Sequence, residues 1–195
     1  TVLSTKKKPI DILKGSDWNL KLNVSIDGCN DSSQIKNIKV IDLIPPHSPS
    51  IIRSTVENNI SILTQWEVPK YGLDKIEKLQ IWRSADSVNF TQVATKSKSA
   101  TSYLDEDVDV QNTNYYYLII PTNRCKVNPE KTIMASSILL TEKSINSNDT
   151  KFTWTKYYKW DNGVEYYELQ RKDENDNWII IKSVDGKTHE TIIKK

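Results

Sequence analysis

The residues of this sequence that could do chemistry are few and scattered. Its two histidines stand far apart, His47 in a proline-rich run and His189 near the end. Nucleophilic catalysis needs a nucleophile and a base that converge from several loops, and no Ser, Cys or His segment carries a recognised signature. We therefore expect solvated or packed histidines, no catalytic residue and no enzyme activity.

Metal ligands are equally sparse. The cysteines Cys29 and Cys125 cannot supply a tetrahedral zinc set by themselves. The acidic runs 105–109 and 173–177 offer oxygen atoms to calcium, but neither has the glycine spacing of the known calcium-binding loop. We expect solvated turns in both runs, with no metal and no cofactor.

One segment concentrates aromatic side chains. Residues 154–160, WTKYYKW, hold four of them in seven positions. Tyr157, Tyr158 and Trp160 form the candidate patch for a ligand or a partner. They can cap a domain end or an interface between domains, or they can expose a stacking surface for a sugar or a protein.

Composition narrows the classes of partner. The 195 residues carry 27% charged side chains but a net charge of only +2. Nucleic-acid binding is disfavoured, because such proteins concentrate Lys and Arg on one face. No stretch reaches the roughly 20 apolar residues of a membrane-spanning helix, and no apolar leader opens the chain. We expect a soluble protein, or one whose targeting segment lies outside this sequence.

The hydrophobic pattern predicts strands nearly throughout. Ile60, Ile62, Thr64 and Trp66 share one parity, which is typical of a half-buried strand. Turn residues separate such runs, and no helical spacing extends beyond about two turns. The sequence predicts an all-β chain with strands at 50–56, 60–68, 76–84, 90–95, 101–104, 115–120 and 132–140.

Internal repetition organises these strands. A shift of 88 positions places residues 66–94 over 154–182 without a gap, so that Trp66 meets Trp154. A shift of 96 positions places 17–29 over 113–125. We infer the C-terminal part of a first module at 1–45, a complete module at 46–141 and the N-terminal part of a third at 142–195. The short join 141–149 leaves little room for a first strand in that third module.

The complete module has about seven short strands, which indicates a two-sheet sandwich. Its predicted structural core, with equivalent positions of the third module, is Trp66, Ile81, Tyr116, Leu118, Ile120, Trp154 and Leu169. Tyr157, Tyr158 and Trp160 fall opposite Pro69, Lys70 and Gly72, in a loop between sheets. A core position therefore explains Trp154 but not all of the aromatic segment.

The order of these motifs resembles a fibronectin type III domain: Trp66 in strand B, 79–83 in strand C, 102–105 in strand E and 116–120 in strand F. In the first and second modules strand F continues into residues 27–29 and 123–125, respectively. This continuation is similar to that in repeats of gliding-motility-associated surface proteins of Bacteroidetes. That resemblance implies tandem fibronectin type III/immunoglobulin-like β-sandwiches in a large adhesin-like protein, exported by the type IX secretion system and displayed at the cell surface.

We therefore expect a non-catalytic structural and interaction segment whose partners are other modules, surface or secretion-complex proteins, or a glycan. The alternatives are a carbohydrate-binding accessory module of a secreted hydrolase and a strand-accepting component of a surface complex. The third module is expected to be completed by sequence beyond Lys195 or by another polypeptide. Cys29 and Cys125 occupy equivalent positions on consecutive modules, too far apart to pair with each other.

Overall fold

The structure, a computed structural model, describes residues 18–26, 28–38, 46–69, 71–123, 133–159 and 162–194. The described residues form β-strands and one short 3₁₀ turn, Leu73–Lys75, so the all-β prediction is confirmed. The described part of the chain contains no helix that is long and apolar enough to cross a membrane. The chain divides into two compact units, Thr1–Ile44 and Pro45–Lys195.

The first unit contains a long hairpin. Strand β1 (Trp18–Leu20) pairs antiparallel with β4 (Lys36–Ile38), and β2 (Asn23–Ile26) pairs with β3 (Cys29–Ser32). Gly28 takes a φ of +85° at the turn between β2 and β3, a conformation that glycine adopts without steric cost. The thiol of Cys29 is free and exposed, whereas Cys125 lies outside the described residues.

The second unit begins with a seven-stranded sandwich, here called the second module. Its strands are β5 (Ser50–Glu57), β6 (Ser61–Glu67), β7 (Lys78–Ser84), β8 (Thr91–Ser97), β9 (Ser102–Asp105), β10 (Tyr116–Thr122) and β11 (Ala135–Ser136). One sheet has the order β5-β6-β9, and the other has the order β11-β10-β7-β8. All pairs are antiparallel, and this is the strand arrangement of a fibronectin type III sandwich.

The core of the second module lies between these two sheets. Trp66 of β6 and Ile81 of β7 are buried there. Each large apolar side chain removed from water contributes roughly 1.5–3 kcal/mol. The buried hydrophobic residues of this cluster are Ile51, Ile62, Trp66, Ile76, Leu79, Ile81, Val110, Tyr117, Ile119 and Ala135.

The predicted core positions on β10 are wrong by one residue. Tyr117 and Ile119 are buried, whereas Tyr116, Leu118 and Ile120 are half-buried on the opposite face. Apolar side chains occupy both parities of this strand, so alternation could not identify the inner face, and a shift of one residue exchanges the faces.

Five further strands form what we call the third module. They are β12 (Leu140–Ser144), β13 (Asp149–Trp154), β14 (Tyr166–Lys172), β15 (Trp178–Asp185) and β16 (Glu190–Lys194). One sheet has the order β12-β13-β16, and β14 pairs with β15. The segment 141–149, predicted to leave little room for a first strand, therefore contains all of β12 except its first residue, Leu140. The predicted strand 132–140 is divided, because β11 ends at Ser136 and β12 begins at Leu140.

The 88-residue offset recurs in the strand pairing. Ile62 pairs with Asp105 in the second module, and Thr150 pairs with Ile193 in the third. The register shift that follows Ile81 also recurs after the equivalent Leu169. Packing differs, however: Trp154 and Leu169 are only half-buried. Among the described residues from 140 to 194, Tyr157 alone is buried.

Candidate functional site: the joint between the second and third modules

A continuous antiparallel ribbon connects the second module to the third. Within the third module β12 pairs with β13, from Ser144 opposite Thr150 to Leu140 opposite Trp154. The same register continues past Trp154, where the Thr155 N–H donates to the Leu139 carbonyl at 3.0 Å. We call residues 135–144 and 149–158 the joint ribbon.

The joint ribbon ends on the second module at Ser136. The Ser136 N–H donates to the Tyr158 carbonyl at 2.9 Å, and the Tyr158 N–H donates to Ser136 Oγ at 2.8 Å. Leu139 N–H also donates to Thr155 Oγ1 at 2.9 Å. Ser136 is fully buried, so these bonds satisfy groups that have lost contact with water. Backbone hydrogen bonds thus cross the boundary between the two modules.

Tyr157 is anchored against the edge of the second module. Only 9% of the residue is exposed, and its Oη accepts a hydrogen bond from the Ser54 N–H of β5 at 3.2 Å. Burial raises the pKa of the Tyr157 hydroxyl, against the smaller opposing effects of this bond and of Arg53. Its own N–H donates to the Tyr167 hydroxyl at 3.2 Å. The side chain therefore fills the contact between β5 and the third module.

Tyr158 points to a different surface. It is 40% exposed, and its ring centroid lies 5.9 Å from that of Tyr116 on β10. Lys156 Nζ lies 5.1 Å from the Tyr158 ring centroid, within cation–π range. Trp160 lies outside the described residues. The structure therefore separates Tyr157 and Tyr158 within the predicted patch, and it gives Tyr116 an aromatic neighbour from the third module.

An aromatic cluster lies behind the joint ribbon. The Tyr167 ring centroid is 5.6 Å from those of Trp154 and His189. His189 is thus a half-buried packing residue, whereas His47 is exposed.

An open cleft of about 440 Å³ lies beside Tyr157. It is lined by Arg53, Ser54, Thr55, Val56, Ile138, Tyr157, Val164, Tyr166 and Tyr167. Sequence reasoning missed this cleft because its walls come from β5 and β14, more than 100 positions apart. One signal was present: in the 88-residue repeat Tyr166 stands opposite Lys78, an aromatic in place of a charge at the start of the strand.

The acidic runs have structural partners. Asp105, expected in a solvated turn, is buried and accepts hydrogen bonds from Arg83 at 3.0 Å and from the Tyr117 hydroxyl at 2.8 Å. Asp173 Oδ1 accepts the N–H groups of Asn175 and Asn177, and the Asn177 bond is the main cause that lowers the Asp173 pKa. The expectation of a solvated turn is therefore wrong for Asp105. Among the described residues, no three His, Cys, Asp or Glu side chains converge.

Comparisons with known proteins are limited to distant structural likeness. No protein-family model and no curated protein sequence matches the chain. A β-1,2-glucanase from Parabacteroides distasonis is similar at a TM-score of 0.36 and 17% identity over 57% of this chain and 16% of its own. The central fibronectin-III array of RIM-binding protein has a TM-score of 0.38 and 13% identity, over 76% of this chain and 57% of its own.

The FN1–FN3 domains of chicken CNTN1 have a TM-score of 0.40 and 13% identity, over 88% of this chain and 65% of their own. The chain thus spans less than two thirds of each of these three structures. The strand order and pairing described above define the class of protein: tandem antiparallel β-sandwiches of the fibronectin type III and immunoglobulin-like kind.

Proposed function

We propose that this chain is a non-catalytic structural and interaction segment of a cell-surface or secreted adhesin-like protein, in which it acts as a stiff spacer. The joint ribbon is the observation that supports this proposal. Contacts between neighbouring domains usually permit relative motion unless the interface is extensive. Here the ribbon crosses the boundary without a free linker, and Tyr157 fills the contact beside it.

Export through the type IX secretion system and display at the surface of a Bacteroidetes cell belong to the same proposal. Their support is the motif order of strands B, C, E and F, together with the segments that follow strand F. In that setting the partners are the neighbouring modules and proteins of the cell surface or of the secretion complex.

Spin-label distance measurements test the stiffness of the joint. Labels at Gln92→Cys on β8 and Lys182→Cys on β15, with Cys29 and Cys125 replaced by serine, report the distance between the two modules. Both label positions are exposed. We expect one narrow distance distribution, because the joint ribbon fixes the relative position of the two sheets.

Tyr157→Ala should broaden that distribution, because it removes both the buried ring and the acceptor for the Ser54 N–H. Tyr71→Ala is the matched control, since Tyr71 is 81% exposed on the second module. A broad distribution in the unmodified joint would contradict the spacer proposal. An unchanged distance distribution in Tyr157→Ala would show that Tyr157 does not contribute to the stiffness of the joint.

A carbohydrate-binding accessory module is the second candidate, and the exposure of Tyr158 favours it. Tyr157 contributes little to a sugar platform, because its ring and hydroxyl already contact the second module. A glycan array with the Tyr158→Ala, Trp160→Ala double variant separates the candidates. Selective binding that the double variant loses supports a lectin-like role, and absence of binding to every glycan supports the spacer.

A strand-accepting role is the third candidate. In the second module β7 pairs with β8 on one edge and with β10 on the other. Among the described strands the equivalent β14 pairs only with β15. Hydrogen exchange on protein purified from its natural source tests this role: amides of β14 as protected as those of β7 would indicate that a strand covers the second edge.

A further inference from the structure

The cleft beside Tyr157 exposes part of one edge of β5 at Val56, whereas Tyr157 occupies the same edge at Ser54 and β11 lies close to β5. β5 is an edge strand, and its Ser54 N–H points away from β6 because it donates to Tyr157 Oη. Backbone polar groups in an antiparallel strand alternate between its two edges with a period of two residues. The N–H and C=O of Val56 therefore point to the same edge as the Ser54 N–H, into the cleft. Unpaired groups on such an edge are a template for another extended chain.

A positive charge stands next to this edge. The Arg53 Nε donates to Gln65 Oε1 at 2.7 Å, and none of the ion pairs among the described residues involves the Arg53 guanidinium. A guanidinium pairs most strongly with a carboxylate, which it can hold through two parallel hydrogen bonds. The cleft is therefore suited to an anionic group at the Arg53 side.

Part of the cleft lining is apolar or aromatic. Ile138, Val164 and the aromatic rings of Tyr166 and Tyr167 form this part, and Tyr166 is 54% exposed. The volume of about 440 Å³ is in the range of small-ligand sites. Saccharide hydroxyls can bond single backbone groups, whereas an extended peptide pairs with the N–H and C=O of Val56 together and directs alternate side chains to the two faces of the strand. An extended peptide matches all three features.

We propose that this cleft binds a short extended peptide with carboxylate side chains, which pairs with the exposed part of the β5 edge at Val56. The peptide residue opposite Val56 places an apolar side chain on the same face as Val56, the face that packs against the core of the second module. Its two neighbours point to the other face, where an acidic side chain reaches Arg53. This binding site is additional to the spacer role.

The probe is the symmetric peptide acetyl-TEVET-amide, which presents the same pattern in either orientation. Its binding to the ¹⁵N-labelled 195-residue chain is followed by the chemical shifts of the Val56 amide and of Arg53 Nε. We expect saturable shifts at both sites. Arg53→Gln should weaken binding by about two- to fivefold, the effect of one exposed charge pair. The matched control, Arg171→Gln, changes an exposed arginine of the third module and should leave binding unchanged.

Three results would overturn the proposal. The first is no saturable shift at Val56. The second is equal binding of the charge-reversed peptide acetyl-TKVKT-amide, which would remove Arg53 from recognition. The third is a shift produced by oligogalacturonate but not by the acidic peptide, which would make the cleft an acidic-sugar site. The spin-label distances test the spacer role separately, since Arg53→Gln leaves the joint ribbon intact.

Discussion

Replacing Asp105 by alanine should destabilise the second module by about 3 kcal/mol. Asp105 is 1% exposed, and it accepts hydrogen bonds from Arg83, which is 17% exposed, and from the Tyr117 hydroxyl. The substitution leaves a largely buried guanidinium with only the ion pair to the fully exposed Asp107, at 3.4 Å, and it removes the acceptor of the Tyr117 hydroxyl. Breaking one side of a buried ion pair typically costs about 3–5 kcal/mol, because the remaining charge stays desolvated.

Urea unfolding measures this loss, with NMR cross-peaks of β6 and β7 as the readout so that only the second module is followed. Glu190→Ala is the comparison: it removes the partner of Lys151 in an ion pair whose side chains are 35% and 62% exposed. Such surface pairs contribute between 0 and about 1 kcal/mol. A loss below about 1 kcal/mol for Asp105→Ala would refute the conclusion that this carboxylate neutralises a buried charge.

Three further predictions concern single side chains. Burial and the charge of Asp105 raise the pKa of Tyr117 well above 10.0, so the folded state should lose stability as the pH rises above about 10. Urea unfolding at pH 8 and 11 measures this loss, and Tyr117→Phe should reduce it. Gly186→Ala should reduce the free energy of unfolding of the third module by about 1–3 kcal/mol and lower its melting temperature, because a Cβ would collide with the Val164 carbonyl oxygen. An unchanged melting temperature would exclude this close approach. Hydrogen bonds, chiefly from the Asn89 backbone, lower the pKa of Asp86, so the stability of the fold should decrease as the pH drops below about 3.8. An NMR titration of the Asp86 carboxylate with a midpoint at or above 3.8 would contradict this.

The repeat was the most reliable guide to the fold. The offset of 88 residues depends on many weakly matched positions, and it holds through the strand registers and the shift after Ile81 and Leu169. The inner face of β10 could not be read in the same way. Tyr116 and Tyr117 are the same residue type, and nothing in the local sequence indicates that the Tyr117 hydroxyl bonds to Asp105, on a strand of the opposite sheet.

The site was less accessible to sequence reasoning, because it depends on contacts between distant positions. Nothing local in the aromatic segment indicates that Tyr157 bonds to Ser54, 103 positions away, while Tyr158 contacts Tyr116. Alignment with Pro69 and Lys70 did show that these tyrosines lie in a loop. Their different directions follow from the joint ribbon, in which successive side chains point to opposite faces.

The joint ribbon also makes the orientation of the third module depend on whether the connecting segment has an odd or an even number of residues. Because one ladder runs from Ser136 opposite Tyr158 to Ser144 opposite Thr150, the length of the segment between β11 and β12 sets which face of the third module follows which face of the second. Insertion of one residue at Ile138 would turn every later side chain of β12 to the other face, whereas two inserted residues would preserve the alternation. The rotation of one module relative to the next therefore depends on whether the segment between them has an odd or an even number of residues. In a long array of modules, a one-residue insertion there would change the orientation of every module that follows.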